Sequence, residues 1–287
     1  MDKIIKDIEK TTLADTSKTT YISRIKSYYK LGLGKEDIID VLEKANPKNH
    51  LNSEINNISN ILQFYEISDT FKKLIKKDEI DELRIMSDNL KVKQKEKENE
   101  PRDTDVNWED ILELKDNLNR PNINNNDRII YLIYTELDFI PRNDLTPLKI
   151  VDKKSDVDDE YNYFVRSTGD LILNQYKTRH KYGVIEAKIP QLNNLLDKHQ
   201  DWLFENKNGD PLSENALQKK IAFTFKKLSA GKKITINTLR RSYATHIQSL
   251  PLKERTAVAH KMGHSSGTNR DYYALDDEAK SRIKDLK

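Results

Sequence analysis

The residues with the most pronounced chemistry in this chain gather between Ile234 and Leu275, in ITINTLRRSYATHIQSLPLKERTAVAHKMGHSSGTNRDYYAL. Asn237, Arg240 and Arg241 open a predicted helix, His264 follows a Met-Gly pair, and Tyr273 stands nine residues beyond His264. Arginine offers a planar fork of donors that matches phosphate oxygens. A tyrosine hydroxyl can attack phosphorus and form a covalent intermediate. Together these residue types suit one task, holding a phosphate while a phenol attacks it. Tyr272 is adjacent to Tyr273, and neighbouring helical residues point about 100° apart, so only one of them can face the phosphate.

The elements that must position these groups can be read from periodicity. Residues 1–90 read as helices separated by short turns. Thr16 or Ser17 is expected to cap a helix through Tyr29, with Tyr21, Ile22, Ile25 and Tyr28 or Tyr29 at helical spacing. Further helices are expected over 35–44, 53–65 and 70–90. The stretch KVKQKEKENEPRDTDV, residues 91–106, is almost wholly charged or polar and predicts a solvated helix end followed by a flexible linker. The division is therefore 1–92, a linker at 93–106, and 107–287.

The second part opens with a helix over 108–118, then a nearly all-apolar helix over 127–135 that should be central and buried. From Tyr161 to Pro190 the period changes to two, with a turn at Ser167-Thr168-Gly169-Asp170, predicting three antiparallel strands. A helix is expected over 189–199, and Ser213 should cap another through Lys227. Helices are also expected over 253–262 and, in the tail, over 276–287.

Composition narrows the rest. The chain has 287 residues, 34% of them charged, a net charge of only +3 and no cysteine. Disulfides, thiolate zinc sites and cysteine nucleophiles are thus excluded. Lysines 219, 220, 226, 227, 232 and 233 crowd the approach to the arginine pair, where a phosphate backbone would lie, while an acidic loop over 152–160 should face away. The start, MDKIIKDIEKTT, lacks the apolar core of a signal peptide, and no run approaches a membrane span, so an intracellular protein with no membrane partner is expected.

The stretch quoted first resembles the carboxy-terminal signature of the tyrosine recombinases, the phage-integrase family. There, His-x-x-Arg is followed by Leu-Gly-His and by the nucleophilic Tyr nine residues after that His. Arg240, His264 and Tyr273 fall on this pattern, and Asn237 stands where the family has His. The run FIPRNDLTPL, residues 139–148, resembles the family's first arginine box and marks Arg142. Its Pro-Arg-x-Asp-Leu form is closer to viral and eukaryotic mobile-element versions than to bacterial ones. Tyr176-Lys177-Thr178, followed by Tyr182-Gly183, is similar to the β-turn that carries the family's catalytic lysine. Lys177 is the first choice there and Lys181 the second. Residues 15–21 resemble the first helix of the family's core-binding domain.

The resemblance implies a mainly α protein with a small antiparallel sheet, built as a helical core-binding domain plus a catalytic domain. It implies a catalytic set of Arg142, Lys177, Asn237, Arg240, His264 and Tyr273. DNA contacts are expected from Lys18, Tyr21, Arg24, Arg179, Lys219, Lys220 and Arg241. It further implies double-stranded DNA as partner, a homo-oligomer (a tetramer) on that DNA, and no metal or other cofactor. A type IB topoisomerase and a DNA-binding relic without catalysis remain as alternatives. Asn237 keeps them open, because an amide hydrogen-bonds phosphate but cannot shuttle a proton.

Overall fold

The computed structural model describes residues 1–99 and 105–265. The chain divides into two compact units, 1–98 and 99–287.

The first unit is helical: α1 (Asp2–Glu9), α2 (Asp15–Lys30), α3 (Ile38–Ala45), α4 (Leu51–Ile67), α5 (Asp69–Lys72) and α6 (Lys77–Asn99). Its core is organised on Phe64, which meets Tyr21 and Phe71 at 5.6 Å between ring centroids and Tyr28 at 6.3 Å. Helix α2 begins earlier than expected, with Ala14 as its N-cap. The hydroxyls of Thr19 and Thr20 are spent instead on the carbonyls of Asp15 and Thr16, one turn back, at 2.9 Å each. Helix α6 also runs further than expected, through Lys93 to Asn99. Lys, Glu and Gln are good helix formers, and the Lys91–Asp88 pair at 3.2 Å adds support three residues apart. High charge solvated this segment without unwinding it.

The second unit opens with α7 (Trp108–Glu113), tightening into a 3-10 turn over Leu114–Asn119 where one longer helix was expected. Helix α8 (Asn125–Thr135) is the buried centre, as its apolar run predicts. A capping box between Asn124 and Asp127 starts it. Asp127 does more than cap. It accepts from Thr224 Oγ1 at 2.6 Å and from Lys227 Nζ at 2.7 Å, tying α8 to α10 (Glu214–Leu228). Burial alone would raise this carboxyl's pKa, but the bonds from Lys227, Thr224 and the Asn124 backbone outweigh it and hold it below the usual value.

Between these helices lies a four-stranded sheet in the order β1 (Leu148–Val151), β2 (Asn162–Val165), β3 (Asp170–Leu173) and β4 (Ile185–Lys188). The mainly α architecture with a small sheet is as expected, but the sheet is mixed. Strand β1 pairs parallel to β2, and the other pairs are antiparallel. Phe164, Leu171, Leu173 and Ile185 face the main core, while Tyr163, Val165 and Ile172 pack in a separate small cluster. Short α9 (Arg179–Tyr182) sits in the loop between β3 and β4. The segment expected to be helical over 189–199 has only a 3-10 turn at Pro190–Leu195. Ser213 caps α10 as predicted, through its Oγ and Ala216 N–H. Helices α11 (Ile236–His246) and α12 (Leu252–Lys261) complete the described part, and the predicted tail helix lies outside it.

Asp127→Ala should destabilise this unit by about 2–4 kcal/mol, the cost of stranding a largely buried cation and losing a cap. Urea unfolding followed by tryptophan fluorescence reads this unit alone, since both tryptophans, Trp108 and Trp202, belong to it. Because the folded pKa lies below the unfolded one, the stabilisation is full at neutral pH and fades as pH falls below the usual carboxylate range. A difference under about 0.5 kcal/mol at pH 7 would show that the α8–α10 tie carries no weight.

Candidate active site

Helix α11 starts at Thr235, whose Oγ1 accepts from the N–H of Thr238, and this fixes where Arg240 points. Arg240 is 2% exposed. Its Nη1 donates to the carbonyl of Ile140 at 2.5 Å and its Nη2 to the carbonyl of Met262 at 2.7 Å. The same Nη2 lies 2.6 Å from His264 Nε2. Ile140 is two residues before Arg142, and Met262 is two before His264. One guanidinium therefore joins the first arginine turn to the histidine turn.

His264 is set by the way α12 ends. Gly263 has φ +74°, a left-handed conformation that glycine adopts without strain. Its N–H bonds the His260 carbonyl and the His264 N–H bonds the Ala259 carbonyl, both at 2.8 Å, which is a Schellman closure. Gly263 is also crowded, since a Cβ there would sit 2.7 Å from Thr178 Oγ1. His264 is buried, and burial first, then the charges of Arg240 and Arg142, push its pKa down to about 3. The ring is neutral at physiological pH. With Nε2 accepting from Arg240, the proton is assigned to Nδ1.

Arg142 lies at the end of the buried run Phe139–Pro141, its side chain 34% exposed, with Nε 3.7 Å from Asp144 Oδ2. The same Asp144 oxygen accepts the backbone N–H of Lys177 at 2.9 Å. Fully buried Asn162 works beside it. Its amide donates to the carbonyls of Leu145 at 3.0 Å and Gln175 at 2.9 Å, and its Oδ1 accepts from Gln175 N–H at 2.8 Å. The arginine turn and the base of the Lys177 loop are thus bolted together, with the Lys177 side chain exposed.

Arg142, Arg240 and His264 therefore share one site, bordered by the Lys177 loop. Asn237, one turn before Arg240 on α11, is exposed. Arg241 does not join this site. It points about 100° away around the helix, is buried, and pairs with buried Asp105 at 3.2 Å, so its expected place on DNA is corrected to an internal ion pair. Lys219 is exposed on α10. Lys220 is half-buried, and desolvation lowers its pKa against the opposing fields of Asp127 and Glu205. Arg179 is half-buried in α9. In the first unit Lys18, Tyr21 and Arg24 recur every third residue on α2; Lys18 is half-buried, Arg24 exposed, and Tyr21 packs edge-on against Phe64. Tyr272 and Tyr273 lie outside the described residues. Asp144 was visible as the acidic residue of its box. Asn162 was missed, since a polar residue opening a strand carries no signal of what it will bond.

The fold is similar to that of solved lambda integrase structures. Two solved structures carry the fold. A lambda integrase(75-356) dimer bound to a COC' core site matches with a TM-score of 0.58 at 15% identity, covering 97% of this chain and 95% of that one. A lambda integrase tetramer bound to a Holliday junction matches with a TM-score of 0.56 at 15% identity, covering 96% and 77%. In sequence, the chain is 35% identical over 105 residues to a tyrosine recombinase XerD of Staphylococcus saprophyticus subsp. saprophyticus. That match takes in 37% of this chain and spans about a third, 33%, of the relative's length. No family model matches the chain. The resemblance to tyrosine recombinases drawn from the sequence is borne out. Among the described residues, no helix is long and apolar enough to cross a membrane.

The electrostatics of His264 give a direct test. Between pH 6.5 and about 3 the unfolded chain takes up a proton that the folded site refuses, so this residue costs stability as pH falls through that window. By NMR of histidine-labelled protein, the His264 ring should keep its neutral chemical shifts down to about pH 4. Titration near 6.5 would mean that the ring is not held against the two arginines.

Proposed function

We propose that this protein is a site-specific DNA recombinase or integrase that cuts and rejoins strands through a 3′-phosphotyrosyl intermediate. The observation that carries the reading is the gathering of Arg142, Arg240 and His264 around one small space, on the fold of lambda integrase, with the Lys177 loop at its edge.

In this reading Tyr273 is the nucleophile. Its phenolic oxygen bonds to phosphorus as the bond from phosphorus to the 5′-oxygen breaks, and the phenolic proton passes to solvent. Arg142 and Arg240 balance the charge that builds on the non-bridging oxygens. Their field also favours the phenolate, whose reference pKa is about 10. Lys177 gives its proton to the leaving 5′-oxygen. Neutral His264 donates from Nδ1 to the phosphate, and Asn237 adds a hydrogen bond without proton transfer. A 5′-hydroxyl from a partner duplex then reverses the step, so strands are rejoined without ATP.

Residues 1–92 serve as the core-binding domain, with Lys18, Tyr21 and Arg24 toward DNA. Residues 107–287 are the catalytic domain, 93–106 join the two, and each domain contacts the duplex. Arg179, Lys219 and Lys220 extend the basic surface. The protein works inside the cell as a tetramer on its recombination site, and belongs to a viral or other mobile element, in keeping with the Pro-Arg-x-Asp-Leu form of its arginine box.

The test is incubation with nicked suicide duplexes carrying the terminal repeats of the parent element. Tyr273→Phe should abolish the covalent adduct and leave binding nearly intact, and Tyr272→Phe should spare both. Loss of the adduct in Tyr272→Phe alone would transfer the role. Arg142→Ala is the clean arginine variant, because Arg240 also holds two turns together. Asn237→Ala should slow single-turnover cleavage by roughly ten- to a hundredfold, as for a lost bond to a charged group, and Arg142→Ala by more. Relaxation of supercoils by the protein without strand exchange would favour the topoisomerase alternative. An adduct formed by Asn237→His but never by the unchanged protein would mark a relic.

Affinity for the duplex should also fall steeply with salt, with a log–log slope of about −0.9 per neutralised phosphate. Binding that stays flat between low and physiological salt would rule out extensive phosphate contact.

A further inference from the structure

The loop between β3 and β4 carries Lys177 near its start, and its base is fixed by Asn162 and Asp144. Its far half needs a separate anchor, because eleven residues, 174–184, separate the two strands. That anchor is on α12. The ring of Tyr182 stacks on the imidazole of His260, with centroids 4.9 Å apart and planes 28° from parallel. Lys181 Nζ lies 5.2 Å from the Tyr182 ring centroid. The loop's middle meets the same helix end, where Thr178 Oγ1 fills the space that a side chain at position 263 would need. Tyr176 Oη closes the loop on itself by donating to the Gly183 carbonyl at 2.7 Å.

His260 is exposed and Tyr182 half-buried, so neither is needed to fill the core. His260 also lies four residues before His264, at the start of the turn that the Schellman closure forms. The stack thus ties the lysine loop to the element that presents His264.

We propose that His260 and Tyr182 are positioning residues for the leaving-group proton. Their stack holds the β3–β4 loop on α12 and so keeps Lys177 at the 5′-oxygen. This rests on the recombinase reading above. Neither residue touches the reacting atoms; both act through Lys177.

The consequence is specific to one half of the reaction. A 5′-alkoxide is a poor leaving group and needs the Lys177 proton as the bond from phosphorus breaks. A sulfur in its place leaves as a thiolate, since a thiol has a reference pKa of about 8.5, and needs no proton. A loop out of place should therefore slow cleavage of the ordinary phosphodiester and spare the phosphorothiolate.

The experiment compares nicked suicide duplexes with an ordinary and a 5′-bridging phosphorothiolate scissile linkage, using the full chain. General acid catalysis contributes about a hundred- to ten-thousandfold. Part of that should be lost in His260→Ala and Tyr182→Ala, slowing the ordinary substrate by roughly ten- to a hundredfold. The phosphorothiolate should be cut within about threefold of the unchanged protein, and His260→Phe, which keeps a ring to stack, should restore the ordinary rate. In parallel, trypsin should cut after Lys177, Arg179 or Lys181 faster in His260→Ala than in the unchanged protein.

Equal loss on both linkages, or no loss on either, would overturn the positioning role while leaving the recombinase reading intact. No adduct from the unchanged protein on either duplex would overturn the recombinase reading, and the role for Lys177 with it. The trypsin assay separates these failures, because it reports on the docking of the loop without any cleavage of DNA.

Discussion

The second unit depends on how one buried cation is satisfied. Arg240 is almost entirely removed from water, and a buried guanidinium is costly unless its donors find acceptors. Two of those acceptors are backbone carbonyls, Ile140 and Met262, far apart in sequence and two residues ahead of Arg142 and His264 respectively. Satisfying Arg240 therefore requires the Arg142 turn and the His264 turn to meet. The same five-donor fork that could grip phosphate is first used to build the place where phosphate would sit. Lysine could not replace it, because a point charge on a flexible stem does not address two carbonyls and an imidazole along fixed directions.

Each turn brought to Arg240 is also shaped locally, so the guanidinium joins parts that are already formed. The Schellman closure at Gly263 sets the direction of His264. Thr178 takes the space left by glycine's missing side chain, so the same residue admits both the turn and the lysine loop. On the other side Asp144 accepts from the Lys177 backbone while lying near Arg142, and Asn162 bonds the carbonyls of Leu145 and Gln175. Preorganisation of this kind is what an electrostatic site requires, because dipoles fixed during folding need not be reoriented during reaction.

How much of this was legible in the sequence follows from which forces are local. Helix α8 was readable from its apolar run, and α10 from its apolar spacing and its cap Ser213, all of them local signals. The mainly helical class and the small sheet followed from the change of period near Tyr161. Strand β1 was not legible as the parallel member. Leu148–Val151 is short, and its partners are β2 and the Asp201–Leu203 segment, reached only through tertiary contact. Charge misled twice. The run after Lys91 suggested a linker, yet helix-forming Lys and Glu carry α6 to Asn99. Arg241 suggested a DNA contact, yet Asp105 lies 136 residues earlier, and nothing in its own neighbourhood announces a buried partner. The family resemblance placed Arg240 and His264 in one motif, but the sequence held no sign that the first would hold the second.

The neutrality of His264 follows from the same arrangement. A ring packed against one arginine and within the field of another cannot afford a third positive charge, and burial removes the water that would have screened it. The imidazole thus remains a hydrogen-bond donor and acceptor rather than a cation. Its acceptor nitrogen orients Arg240, which leaves its N–H as the group that can face an anion. Arriving phosphate would bring negative charge to a site holding two guanidinium groups and a neutral ring, with Asp144 as a nearby carboxylate already engaged by Lys177 N–H. Both guanidinium groups would attract that charge, with no imidazolium beside them to compete. Attraction of that kind favours the anion most where its charge is greatest, at the pentacovalent phosphorus rather than the resting diester.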